Sequence, residues 1–185
     1  MTFELDKQNI LGKIDKSQIG TIDSGIAEIC DLINYKENYY TTSSCSGRIV
    51  LLESESDKKN EVNWLFVSHD LVDFNEASSK LSSEKDIWLR QEGAILHVCC
   101  KTIKDAEKLI NLVKSIGFKR TGMISVNSRF IVEIISSEHL CAPVMKKGIK
   151  VVSDEYFKLL ISEAKYKMEK NKKKLNKLTK ELRNL

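Results

Sequence analysis

Residues 94–126 of this chain, AILHVCCKTIKDAEKLINLVKSIGFKRTGMISV, decide its fold. The stretch opens with an apolar run that is typical of a buried strand, and Thr102 followed by Asp105 has the pattern of a capping box that begins a helix. Gly117 stands where that helix should end, and a second β-type run follows it. The β-α-β order predicts two parallel strands joined by one right-handed crossover.

The stretches on either side predict an α+β domain. A helix is expected over residues 3–15 and, after a turn at 17–23, a second helix to about residue 34 with Asp23 or Ser24 as its N-cap. The other β-type runs lie at residues 39–42, 48–54, 63–69, 87–89 and 130–136, with a last strand after Pro143. We interpret these runs as hairpins, which predicts a mixed, largely antiparallel sheet with flanking helices. No glycine-rich GxGxxG turn follows any strand, so a Rossmann methyltransferase fold is not expected.

Residues 153–185 are expected to form one long basic helix that begins at the N-cap Ser153. Apolar residues recur there at spacings of four and three, which is a heptad seam, and Asn171 is its polar member. We expect the first half of the helix to pack on a single domain made by residues 1–152. The second half looks too polar for a core and is expected to project or to dock on another helix. The seam also suggests a homo-oligomer formed through this helix.

The net charge of +4 over 185 residues hides an uneven distribution. Residues 1–100 carry −7, from 10 basic and 17 acidic side chains, and residues 101–185 carry +11, from 20 basic and 9 acidic ones. A cationic half favours a polyanionic partner, although a solvated lysine-rich helix has the same composition. No apolar run reaches the roughly 18 residues of a membrane span, and the N-terminal residues lack the pattern of a signal peptide.

The five cysteines are scattered along the chain, and none belongs to a CxxC motif. This usage predicts reduced thiols that mostly fill the core of a cytoplasmic protein. The three histidines and the cysteines show no ligand spacing, so no metal site is expected.

Residues 39–49, YYTTSSCSGRI, have the pattern of a polar turn between two β-type runs. Ser43, Ser44 and Ser46 offer hydroxyls, and the backbone around them offers N–H groups, which together suit an anionic ligand. The alternative is a hairpin whose hydroxyls satisfy their own backbone. Arg48 comes just before buried positions and should therefore need an anionic or planar partner.

Five stretches, taken in order, resemble one family. They are TTSSCSGRIVLL, WLFVSH, LHVCC, GFKRTGMI and the tail DEYFKLLISEAKYKMEKNKKKL, and the likeness covers residues 23–175. This combination is similar to the tRNA wybutosine-synthesizing protein 3 family, with SSCSGR as its most specific part. The resemblance implies an S-adenosylmethionine-dependent methyltransferase with a non-Rossmann fold. Members act on ring nitrogen N4 of a tricyclic guanosine derivative beside the anticodon of phenylalanine tRNA.

With this resemblance, the polar residues become a candidate site. Methylation of a ring nitrogen needs a base, or a water chain to solvent, to take its proton; His69 at the end of WLFVSH is the first candidate base and Asp23 the second. Contacts with the cofactor are expected from six consecutive residues: Ser43, Ser44, Cys45, Ser46, Gly47 and Arg48. Contacts with RNA phosphates are expected from Lys119, Arg120 and Arg129.

Several of these residues have a structural alternative. His69 could be an ordinary hydrogen-bonded histidine at a strand end, and His97 inside LHVCC has the pattern of a core or site-wall residue. Tyr39 and Tyr40 could stack on the modified base, although packing in the strand core is favoured. Cys45 is interpreted as a packing or loop-wall residue, because methyl transfer needs no covalent intermediate.

Two other functions fit the same sequence. A non-catalytic RNA-binding protein would use the basic helix, with the serine-rich turn holding a phosphate. A scaffold would oligomerise through the heptad seam. Residues 70–89 match no motif of the family, so they carry no assignment in any of these interpretations.

Overall fold

The computed structural model describes residues 2–12, 22–54 and 62–185. Its helices are α1 (Phe3–Leu11), α2 (Ser24–Tyr35), α3 (Phe74–Ser78), α4 (Ile103–Ile116) and α5 (Asp154–Arg183). Its strands are β1 (Tyr39–Cys45), β2 (Arg48–Ser54), β3 (Val62–Ser68), β4 (Asp86–Glu92), β5 (Ile95–Cys100), β6 (Gly122–Ser125), β7 (Phe130–Ile135), β8 (Leu140–Lys146) and β9 (Ile149–Lys150). The first helix was expected to reach residue 15 but ends at Leu11. Residues 13–15 and most of the turn predicted at 17–23 lie outside the described residues.

The chain forms two compact units, each built from separate stretches of sequence. Unit 1 comprises Met1–Ser46, Ala94–Ser137 and Lys172–Leu185, and unit 2 comprises Gly47–Gly93 and Glu138–Asn171. Each unit contains its own antiparallel sheet, so the expected α+β class is confirmed, with two sheets in place of one. The domain boundaries expected from the sequence, residues 1–152 and 153–185, differ from the bounds of these two units, and they stay a prediction.

Unit 1 holds a four-stranded sheet in the order β1-β5-β7-β6. Strands β5 and β6 both run antiparallel to β7, so they are parallel to each other, as expected of strands joined through α4, and β7 lies between them. Thr102 and Asp105 form the predicted capping box, and Gly117 caps the end of α4. One face of this sheet is buried by α2, α4 and the end of α5. The core includes Ile26, Ile29, Ile33, Leu96, Val98, Leu109, Val113, Val132, Ile134, Leu178 and Leu182.

Unit 2 holds a five-stranded sheet in the order β3-β2-β4-β8-β9. The hairpin expected between β1 and β2 does not form. Residues 49–52 of β2 are all buried, and β2 pairs with β3 on one edge and β4 on the other. A strand that is apolar on both faces belongs inside a sheet, so β2 needs two neighbours, and β1 pairs with β5 instead. The core includes Ile49, Leu51, Val72, Ile87, Leu89, Val144, Phe157, Ile161 and Ala164.

Both halves of α5 are packed into a core, which corrects the expectation that its second half projects. The seam residues are Phe157, Ile161, Ala164 and Met168 in the core of unit 2, and Leu175, Leu178 and Leu182 in the core of unit 1. The second half is polar on average, but its three leucines recur at spacings of three and four and therefore share one face. Neither α5 nor any other helix in the described ranges has the apolar length that a membrane span requires.

Candidate functional site

The hydroxyl-rich stretch lies mostly in a strand rather than in a turn. β1 continues to Cys45 because its backbone stays paired with β5 through Ser43 and Ser44. The expected polar loop therefore shortens to Ser46 and Gly47. The side chain of Ser43 is exposed, Ser44 and Cys45 are half-buried, and Ser46 is buried. Of the expected hydroxyl donors, Ser43 is thus the most accessible to a ligand.

Asp23 fixes the end of β1 within unit 1. It is the N-cap of α2, where its Oδ1 accepts the Gly25 N–H at 2.9 Å, and its Oδ2 accepts the Ser46 N–H at 2.7 Å. A Cβ placed on Gly25 would lie 2.8 Å from Ser46 Oγ, so this close approach requires glycine. Both carboxylate oxygens of Asp23 thus accept backbone N–H groups, an arrangement that suits the holding of a chain segment.

The buried cysteines behave as core-filling thiols, as expected. Cys30, Cys99 and Cys100 are buried and free. Burial raises the pKa of Cys30, a shift that a hydrogen bond with Ser44 partly opposes, and burial raises the pKa of Cys100 to about 12. These thiols stay protonated at neutral pH, so they are poor nucleophiles.

Arg48 has both of the partners that its position predicts. Its Nε donates to Glu92 Oε2 at 2.7 Å, and its guanidinium carbon lies 4.3 Å from the centre of the Trp64 ring. The anionic partner is Glu92, which stands opposite Arg48 in the β2–β4 register. The side chains of Arg48 and Glu92 remain 31% and 32% exposed, so the pair is partly accessible to solvent.

His69 follows β3 and belongs to unit 2. Its Nδ1 lies 2.8 Å from the carbonyl oxygen of Gly47. A carbonyl only accepts hydrogen bonds, so Nδ1 carries the hydrogen and donates it. In the neutral ring the basic lone pair then resides on Nε2. The contact fixes both the tautomer and the direction of the ring, which a proton acceptor requires.

The three cations expected to bind RNA have different environments within unit 1. Lys119 and Arg120 are exposed in the turn after α4. Arg129 forms a fork with Asp6, with Nε 2.6 Å from Oδ2 and Nη2 2.6 Å from Oδ1. This hydrogen-bonded pair raises the pKa of Arg129. Arg129 therefore already has a carboxylate partner that a phosphate would have to displace, whereas Lys119 and Arg120 are accessible.

The tyrosine pair at the start of β1 packs inside unit 1 rather than facing a ligand. Tyr40 is 0% exposed and donates its hydroxyl to Asp6 at 2.6 Å. Burial and this bond raise the pKa of Tyr40. Tyr39 is also buried and donates to the carbonyl oxygen of Asp105 at 3.1 Å, and burial raises its pKa to about 12. The option that these rings stack on a base is therefore wrong, and core packing is confirmed.

Several residues near the candidate site were not found from the sequence. Trp64 and Glu92 both contact Arg48, and alternation along their strands was the signal that could have placed them on one face. Asp6 lies 123 positions from Arg129, and no local pattern links residues so far apart. The unassigned stretch 70–89 contains α3 and part of β4.

Comparisons with known proteins identify the class. The family described as Methyltransferase TYW3 matches residues 5–184. A protein of Archaeoglobus fulgidus named tRNA(Phe) 7-((3-amino-3-carboxypropyl)-4-demethylwyosine(37)-N(4))-methyltransferase is 37% identical over 188 residues, which cover 100% of this chain and 95% of that protein. A Xenopus laevis protein named tRNA wybutosine-synthesizing protein 3 homolog is 34% identical over 175 residues, which cover 91% of this chain and 70% of that protein.

Solved structures agree with this match. A Pyrococcus horikoshii protein has a TM-score of 0.92 at 33% identity, covering 98% of this chain and 96% of that one. An Aeropyrum pernix protein has a TM-score of 0.77 at 27% identity, covering 88% of this chain and 98% of that one. The family match and these structures thus define a methyltransferase class that lacks the Rossmann architecture. Within that class, the chain belongs to the TYW3 methyltransferase family.

Proposed function

We propose that this protein is an S-adenosylmethionine-dependent tRNA methyltransferase of wyosine biosynthesis. It methylates N4 of the tricyclic guanosine derivative beside the anticodon of phenylalanine tRNA. The observation that carries the proposal is the alignment with the Archaeoglobus fulgidus methyltransferase, which covers 100% of this chain and 95% of the relative. The described residues supply donors and cations of the kinds that this reaction needs. The reduced thiols of the chain suit work in the cytoplasm.

We assign contact with the cofactor to residues 43–48. S-adenosylmethionine supplies, when bound, an electrophilic methyl group on a sulfonium, and it also carries a carboxylate. The exposed hydroxyl of Ser43 and the guanidinium of Arg48 are donor types that a carboxylate accepts. Gly47, at φ 102°, holds a backbone conformation that a side chain would strain. The residues present in this segment therefore fit the group.

The proton of the substrate nitrogen needs an acceptor, and the two candidates from the sequence differ in their surroundings. His69 has its Nδ1–H held by the Gly47 carbonyl, so its Nε2 is the basic atom of an oriented ring. Asp23 accepts the N–H groups of Gly25 and Ser46 with its two oxygens. We therefore assign Asp23 to holding the cofactor segment, and we keep His69 as a candidate proton acceptor.

RNA contacts are assigned to a cationic surface of unit 1. The stretch 172–185 contains six cations and one carboxylate. Three of its exposed lysines recur at i, i+4 and i+7, so they share one side of α5, and we call them the lysine stripe: Lys173, Lys177 and Lys180. The turn that holds Lys119 and Arg120 lies close to the same part of α5, since a Cβ on the nearby Gly117 would lie 3.9 Å from Lys174 Cε, and we group these two cations with the stripe. Arg129 would join them only if a phosphate displaced Asp6.

The first test is calorimetry of the full chain with S-adenosylmethionine, followed by transfer of a labelled methyl group to tRNA that lacks only this methylation. Binding, and label in phenylalanine tRNA, are the expected results. No binding at millimolar cofactor would contradict the enzyme assignment. Binding without transfer to any tRNA would leave the cofactor assignment standing and would contradict the substrate.

A non-catalytic RNA-binding protein is the second candidate, and the exposed lysine stripe favours it. Such a protein would bind tRNA with a strong dependence on salt but would not bind the cofactor. Oligomerisation through α5 has less support, because the seam residues already lie in the cores of the two units. The same calorimetry separates these candidates from the enzyme.

A further inference from the structure

The sheet of unit 1 has a second face, opposite the one covered by α2 and α4. Strand pairing aligns one row of residues across three strands: Ser43 of β1 stands opposite His97 of β5, which stands opposite Glu133 of β7. Residues opposite each other in neighbouring strands project to the same side, with Cβ atoms about 4.5–5.5 Å apart. Leu96 and Val98, which flank His97, belong to the core. The row Ser43-His97-Glu133 therefore projects from the second face.

His97 and Glu133 form a pair on this face. His97 Nε2 lies 3.2 Å from Glu133 Oε1, and the two side chains are 26% and 30% exposed. His97 is therefore neither a core residue nor a fully solvated one. An ionised carboxylate only accepts hydrogen bonds, so Nε2 carries the hydrogen. Glu133 thus selects the tautomer in which the lone pair of Nδ1 is the basic site, the arrangement by which carboxylates orient catalytic histidines.

The surroundings of the pair suit a planar ring. Ile131 and Ile135 lie two positions before and after Glu133 on β7, and Ile95 lies two positions before His97 on β5. Side chains two positions apart along a strand share a face. These three isoleucines are only partly buried, so the polar row runs between accessible apolar side chains. The apolar side chains of such a surface can pack against a base, while the polar row forms hydrogen bonds with the edge of that base.

We propose that His97, positioned by Glu133, takes the proton from the substrate nitrogen in place of the candidate His69. The proposal rests on the proposed function and names a residue of the same site. Ser43 is assigned to the cofactor and is the cross-strand neighbour of His97, so the methyl donor and the proton acceptor would sit at one row of the sheet. Reacting groups must be held this close for methyl transfer to proceed.

The N4–H bond of the tricyclic base breaks, and its proton moves to Nδ1 of His97. The electron pair on N4 forms the new bond to the methyl carbon, and the pair of the sulfur–carbon bond stays on sulfur, which leaves as a neutral thioether. The imidazolium of His97, stabilised by Glu133, then gives its proton to water. Glu133 touches no reacting atom and acts as a positioning residue.

The decisive variant is His97→Ala, assayed for methyl transfer with and without added imidazole. We expect a fall in rate of about 10²- to 10⁴-fold, the usual contribution of a general base, and partial recovery with imidazole in solution. His139→Ala is the matched control, because His139 is exposed and has no proposed role, and it should keep the wild-type rate. Glu133→Gln should lower the rate, with partial recovery in Glu133→Asp, which restores the carboxylate.

Two readouts do not depend on activity. Calorimetry should show that His97→Ala still binds S-adenosylmethionine as wild type does, which separates loss of a proton acceptor from loss of folding. Nitrogen chemical shifts of His97 should report hydrogen on Nε2 in wild type and a mixture of tautomers in Glu133→Gln. A wild-type protein that fails to methylate would contradict the proposed function. An active wild type whose His97→Ala variant keeps its rate, or loses it without rescue by imidazole, would overturn the role of His97 alone.

Discussion

Replacing Gly25 by alanine should disturb the segment that we assign to the cofactor. A Cβ at this position would lie 2.8 Å from Ser46 Oγ and 2.9 Å from Ser46 Cβ. Rotation of the hydroxyl does not move the Cβ of Ser46, so the backbone of Ser46 must shift. That shift acts directly on the bond from the Ser46 N–H to Asp23 Oδ2, which measures 2.7 Å.

The magnitude follows from these contacts. Overpacking of this kind costs about 1–3 kcal/mol. Loss of a hydrogen bond to a charged group costs about 1.5–3 kcal/mol. Alanine has a higher helix propensity than glycine, which stabilises the folded protein by about 1 kcal/mol and offsets part of these losses. We therefore expect the free energy of unfolding to fall by roughly 2–4 kcal/mol, and the affinity for S-adenosylmethionine to fall about tenfold or more, because binding must restore the native position of the segment.

Chemical unfolding and calorimetry with the cofactor measure the two losses. Gly122→Ala is the matched control in the same unit, because a Cβ there has nothing within 4 Å, and it should change stability by no more than about 0.5 kcal/mol. Ser46→Gly added to Gly25→Ala removes the two nearest atoms that the new Cβ meets, so the double variant should recover part of both losses. The reasoning is refuted if Gly25→Ala behaves like Gly122→Ala, or if Ser46→Gly brings no recovery.

Three further predictions concern other parts of the molecule. Arg48→Lys keeps the charge but loses the planar contact with Trp64, so it should destabilise the protein by about 1 kcal/mol and weaken cofactor binding; unchanged calorimetry would contradict the role of the guanidinium. Because the pKa of Tyr39 is about 12 in the folded protein and about 10 in an unfolded chain, its contribution to stability is complete below pH 10 and is lost as the pH rises towards 12. Alkaline unfolding of Tyr39→Phe should therefore show a smaller fall over that interval, and an equal fall would argue against this origin. Replacing the three lysines of the stripe by glutamines should weaken tRNA binding and reduce the slope of log affinity against log salt by about two. The control is a triple variant in unit 2, in which glutamine replaces Lys80, Lys147 and Lys158, and it should leave that slope unchanged.

Local patterns in the sequence were sufficient to predict the β5–α4–β6 segment. Thr102 and Asp105 lie three residues apart, Gly117 follows the last apolar position, and each acts on its own turn of the helix. The requirement of Arg48 for an acidic and a planar partner was also predictable, because a charge beside buried positions must be compensated. Interactions of this kind depend on neighbours in sequence or on one residue alone.

The remaining features depend on residues that are distant in sequence. β1 pairs with β5 and not with β2, because the buried residues of β2 need a strand on each edge, and no local pattern reveals which strands those are. The row that brings Ser43 opposite His97 also depends on a shift of register between Thr41 and Ser43. The second half of α5 is polar on average, so the sequence did not reveal that Leu175, Leu178 and Leu182 share one apolar face. The structure shows that the core of unit 1 covers this face.

A methyltransferase of this family should transfer a methyl group to one ring nitrogen of one tRNA nucleoside. The most direct measurement is mass spectrometry of nucleosides from phenylalanine tRNA that carries the demethylated tricycle, after incubation with the protein and S-adenosylmethionine. We expect a gain of one methylene mass on the tricyclic nucleoside, with fragments that place it on N4. No gain by protein that binds the cofactor, or a gain on a different nucleoside, would contradict this expectation.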